Sequence, residues 1–103
     1  MATRTDAGLK VEIELNSLDL MLADLPEVSE EWSHLPEGER VSWSRDWDQL
    51  MGSLRAVLEP AYRAGSMTIE QRERYRRILC ALETSLPTLE RIGLYTPPML
   101  LGV

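Results

Sequence analysis

Apolar side chains recur along most of this chain at spacings of three and four, the mark of helices with one buried face. The clearest run is Trp43, Trp47, Leu50, Leu54, Val57 and Ala61, widened by Met51 and Leu58. A second run comprises Tyr75, Leu79, Leu82, Leu86 and Leu89, with Ile78 beside it. Ala64-Gly65 stops the first, since Gly65 can take the left-handed conformation that closes a helix. Thr68 and Gln71 have the spacing of a capping box and start the second. Only Ser66 and Met67 lie between, a connection short enough to make the helices antiparallel neighbours. The pattern predicts a helical hairpin over about 43–64 and 69–86.

Two prolines bear on this hairpin. Pro60 removes a backbone donor and crowds the carbonyl of Ala56, which predicts a kink with residues 61–64 as a bent last turn. Pro87 predicts a break near Ser85–Leu86, because the residue before proline resists the α region. Residues 88–92 would then form a separate turn ending at Gly93.

The N-terminal segment reads in two ways. Val11, Leu15, Leu18, Leu22 and Leu25 hold a four-three spacing that suits a helix over about 8–24, with Asp6 as its cap. Residues 9–15 also alternate apolar and charged, as a half-buried strand would. The helix is preferred, because its spacing persists for fifteen residues and a lone two-stranded ribbon is marginal. It leaves Leu9, Ile13 and Leu20 as a second stripe on the face opposite the core. Residues 26–40 are acidic and punctuated by Pro26, Pro36 and Gly38, with room for two helical turns over 27–34, where Val28 and Trp32 are one turn apart. Pro97-Pro98 imposes an extended course on an apolar tail, residues 95–103. The fold class expected is therefore all-α: a small bundle in a single domain over 1–103, with a central antiparallel hairpin, an N-terminal helix and an extended tail.

Charge changes the picture once it is divided. Residues 1–48 hold four basic side chains against twelve carboxylates, or −8, and residues 49–103 hold seven arginines against five glutamates, or +2. The halves should attract each other, and the net −6 repels nucleic acid and anionic membranes. No apolar run approaches the roughly 20 residues that span a bilayer, and the N-terminus lacks the apolar stretch of a secretion signal. A single cysteine, Cys80, excludes an internal disulfide and suits the cytoplasm. It sits beside Leu79 and is expected in the core.

Candidate chemistry is thin. Glu31 and His34 have the Glu-x-x-His spacing of carboxylate-bridged metal bundles, with Glu12 or Glu14 as further ligands, but the chain has one histidine and Pro36 ends any helix there. A solvated histidine is the simpler account. Arg72, Arg74, Arg76 and Arg77 crowd the second hairpin helix, where Glu70–Arg74 and Glu73–Arg77 at i,i+4, together with the acidic half, explain them without a nucleic acid. The carboxylates of the first half, Glu12, Glu14, Asp19, Glu27, Glu30, Glu31, Glu37 and Glu39, are numerous enough to imitate a phosphate backbone; ordinary solubility accounts for them equally. No nucleophile elbow, phosphate loop or catalytic triad is present.

The function expected is non-catalytic, without a cofactor: a cytoplasmic protein that binds a protein partner or its own copy, as a homodimer. An acidic inhibitor of a basic partner and a carboxylate-rich metal carrier are the alternatives. The interface residues expected are Leu9, Ile13, Leu20, Trp32, Tyr95, Met99, Leu100 and Leu101. Trp32 is included because tryptophan is so often an interface anchor, whereas Trp43 and Trp47 lie on the core stripe.

Overall fold

The computed structural model describes residues 6–97 and is all-α, with no strand among them. Helix α1 spans Asp6–Glu31, and a 3₁₀ turn covers Trp32–His34. Helix α2 spans Glu37–Ser53, a π-helical turn covers Leu54–Leu58, α3 spans Glu59–Arg63 and α4 spans Ile69–Ile92. Helix α1 is the common wall, because α4 packs on it and so do α2 and the π turn. Val11, Leu15, Leu18 and Leu25 of α1 are buried against Trp47, Met51, Leu54 and Leu58 and against the α4 stripe. The hairpin limbs meet at their turn, where the rings of Tyr62 and Tyr75 lie 4.9 Å apart. At the open end the Trp47 indole N–H donates to the Tyr95 carbonyl at 2.9 Å.

Residues 9–15 are helical, so the strand reading falls away. Helix α1 also outruns the expected end at 24, continuing through Pro26. The proline ring is exposed, Leu25 beside it is 2% exposed, and the buried Ser29 hydroxyl donates to the Pro26 carbonyl at 2.8 Å. Burial of Leu25 and the packing of Trp32 on the core outweigh one missing backbone donor. The two turns expected over 27–34 are thus the end of α1 and the 3₁₀ turn.

The second helix begins at Glu37, six residues before the expected 43. Pro36 takes the N-cap position with φ −57° and ψ 148°, its carbonyl accepting from the N–H groups of Glu39 and Arg40. Glu37 and Glu39 place negative charge in the first turn, where the helix dipole favours it. The distortion expected at Pro60 lies one turn earlier. The Glu59 N–H reaches back five residues to the Leu54 carbonyl, and this wider turn relieves the crowding a proline ring causes against the carbonyl four residues before it. Helix α3 then ends as the sequence indicates. Gly65 takes φ +71°, Ser66 N–H donates to the Ala61 carbonyl at 3.0 Å, and Gly65 N–H donates to the Tyr62 carbonyl at 3.2 Å.

Thr68 and Gln71 form the expected capping box, with bonds of 3.0 and 3.1 Å. The break expected near Ser85–Leu86 is absent, and α4 passes through Pro87 to Ile92. Tyr75, Ile78, Leu79, Leu82, Leu89 and Ile92 make one buried stripe, and a break would carry its last two members off the core. Pro87 and Glu83 lie on the exposed side, where water can serve the carbonyl that loses its helical donor. Cys80 is exposed, not in the core. At 3.6 residues per turn it lies about 170° from the middle of the stripe, so its neighbour Leu79 says nothing about its own burial.

Gly93 closes α4 with φ +80°, Leu94 N–H returning to the Leu89 carbonyl at 2.9 Å. Leu94 and Pro97 are buried, so the start of the tail lies back on its own bundle, with the Tyr95 side chain 41% exposed.

Candidate functional site: the outer face of the N-terminal helix

Burying Val11, Leu15, Leu18 and Leu25 turns the opposite side of α1 outward, and three large aliphatic residues lie on it. Leu9 is 48% exposed, Ile13 51% and Leu20 69%. Their spacing of four and then seven keeps them in one line. Asn16 and Ser17 occupy the position between Ile13 and Leu20, so the line is interrupted by small polar groups. Beside it runs an open groove of about 780 Å³, bounded by Ser17, Leu20 and Met21 of α1 and by Leu50, Ala56 and Val57 across from them. Short side chains create it: the facing wall also holds Gly52 and Ser53, and a Cβ added at Gly52 would meet nothing within 4 Å.

The other expected interface residues are not brought to this face. Trp32 is half-buried and lines a separate depression of about 580 Å³ with Val41, Arg40 and Asp48. Tyr95 lines a third, of about 400 Å³, with Asp48, Gly52 and Arg55. Gly52 belongs to the first and third, and Asp48 to the second and third, so the three adjoin along α2. Met99, Leu100 and Leu101 lie outside the described residues. Val41 and Ile69, 49% and 75% exposed, were not singled out from the sequence; each is a lone apolar position on a polar face, with no repeat to signal it.

The inner flank of α1 is settled electrostatically by Arg74. Its guanidinium donates to Glu12 at 3.2 Å, to Asp19 at 2.8 Å and to Asn16 at 2.7 Å, while the buried Gln71 amide donates to Glu12 at 2.8 Å. This is the attraction between acidic and basic halves, concentrated in one residue. Neither local pair, Glu70–Arg74 nor Glu73–Arg77, is among the ion pairs of the described residues, and Arg74 turns to α1 instead of Glu70. Glu12, Asn16 and Asp19 repeat at four and three on one side of α1, a polar stripe that signals a cationic partner. With Glu12 and Asp19 engaged, the carboxylates free to imitate a phosphate backbone are fewer than the sequence count suggests.

His34 sits exposed on the 3₁₀ turn, its Nδ1 3.4 Å from the Ser33 hydroxyl. Among the described residues no three His, Cys, Asp or Glu side chains gather as a metal site would require. No helix among them is long and apolar enough to cross a membrane.

One group has a displaced ionisation. Burial, reinforced by the Glu59 carboxylate and Tyr62 and opposed by Arg63, pushes the Tyr75 phenol from 10.0 up to about 12. Above pH 10 the unfolded chain therefore surrenders this proton while the folded chain keeps it, and stability falls as pH rises from 10 to 12. Tyrosinate absorbance should show one late-ionising phenol in the folded protein. Tyr75→Phe should flatten the fall in denaturant midpoint across that window; an unchanged slope would refute the assignment.

Comparison with known proteins finds no matching family model, no matching curated protein and no matching solved structure.

Proposed function

We propose that this protein acts without catalysis and without a cofactor, by docking a protein chain on the outer face of α1. The observation that carries the reading is the line formed by Leu9, Ile13 and Leu20, each about half exposed or more, opposite a core that α1 already completes. Single exposed aliphatic residues are ordinary on soluble proteins. Three in one line beside an open groove are not, and such surfaces mark sites of association. The partner is another protein or a second copy, with the reducing cytoplasm as the compartment that a free, exposed Cys80 suits.

A photo-crosslinking side chain placed at Leu20 tests this in cells. It should give a discrete adduct, weakened by Ile13→Glu elsewhere on the line, while the same group at exposed Glu83 should give none. Absence of adducts from positions 9, 13 and 20 alike would reject the face as a docking surface.

A further inference from the structure

Resting on that reading, we infer that the occupant of the α1 face is a second copy of this chain, its α1 running antiparallel about a two-fold axis at Asn16–Ser17. Charge selects this arrangement. When two identical helices pair antiparallel about such an axis, each flank of the contact meets the same flank of the partner. A flank of one sign then repels itself, and a flank carrying both signs attracts itself.

The flank of α1 beside the groove carries both. Lys10 and Asp24 lie fourteen residues apart, close to four full turns, and so fall on the same side of the apolar line. Both are exposed, and neither joins an ion pair among the described residues. With the axis between Asn16 and Ser17, Ile13 packs on the partner's Leu20, and Leu20 on the partner's Ile13. In that same register Lys10 stands within one residue of the partner's Asp24, and the exchange repeats across the axis. At the centre are the short side chains of Asn16 and Ser17, which let the helices approach.

The other flank carries Glu12 and Asp19, and the arrangement brings Glu12 of each copy near Asp19 of the other. Arg74 already pairs with both, at 3.2 and 2.8 Å, from within the protomer, and halves the charge of that flank. The structure thus reduces the repulsion that the antiparallel arrangement creates on this flank. A parallel pair would instead set Lys10 against the flank whose carboxylates Arg74 has taken.

Light scattering on the full chain should give twice the mass of one chain. Lys10→Asp leaves that flank wholly acidic, and Asp24→Lys leaves it with two lysines against Glu14 alone; each alone should weaken the dimer roughly tenfold, through two exchanged pairs. An equimolar mixture of the two variants should pair as a heterodimer, and the variant carrying both exchanges should recover the original dimer. Both positions are exposed, and unchanged circular dichroism would confirm intact folds. A wild-type chain that stays monomeric at high concentration overturns the inference while leaving a Leu20 adduct with a different protein as support for the docking face. A dimer indifferent to both exchanges, with no heterodimer on mixing, overturns the arrangement.

Discussion

Trp47→Ala is expected to cost about 4 kcal/mol of folding free energy, the upper part of the range for removing a buried aromatic side chain. Trp47 is fully buried, its ring is stacked on Trp43 at 6.0 Å and 14°, and its indole N–H holds the Tyr95 carbonyl. Truncation leaves a cavity at the meeting of α1 and α2 and frees the segment that returns from α4. Against a total of about 5–15 kcal/mol for a domain of this kind, the melting temperature should fall on the order of 20 °C. Trp47→Phe separates the contributions. It keeps most of the packing and leaves the Tyr95 carbonyl without its donor, a loss of about 1–2 kcal/mol. Amide exchange at Leu94 and Tyr95 should quicken in both variants. If Trp43→Ala, at a half-buried position, destabilised the fold as much as Trp47→Ala, the anchoring role assigned to Trp47 would be wrong.

Leu18→Ala and Leu20→Ala make the second test, two residues apart on one helix. Leu18 is fully buried and Leu20 is 69% exposed. The first should lose about 3 kcal/mol, by lost transfer energy and the cavity that remains. The second should change stability by about 0.5 kcal/mol or less, as surface substitutions do, while weakening association. Chemical denaturation measures the first effect, and concentration-dependent light scattering or crosslinking the second. Equal losses of stability from the two would mean that α1 faces the core differently from the structure described.

The same two leucines show how much was legible in the sequence. The four-three spacing of Val11, Leu15 and Leu18 identified the inner face of α1, and the residues left over, Leu9, Ile13 and Leu20, are the ones left exposed. Thr68, Gln71, Gly65 and Gly93 punctuate the chain where their chemistry indicates, because caps and left-handed turns are local events. What the sequence misplaced was decided at a distance. Pro26 and Pro87 read as stops, yet both lie inside helices whose later residues are held by the core. Local preference lost there to tertiary burial. Arg74 has a correctly spaced local partner in Glu70 and takes distant ones across the bundle; the stripe of Glu12, Asn16 and Asp19 signals a cation, but which arginine answers it is decided by packing. The groove depends on how closely α2 approaches α1, a property of packing.

The π turn at Leu54–Leu58 has a consequence for how this chain can change. A wide turn accommodates one residue more than an α-helix needs over the same rise, and here it spares the ring of Pro60 from the carbonyl four places earlier. Deleting a single residue there would tighten the coil and drive the ring into the backbone; replacing the proline alone would leave surplus length with nothing to justify it. The insertion and the imino acid are thus coupled, and a descendant that sheds one should be found to have shed the other.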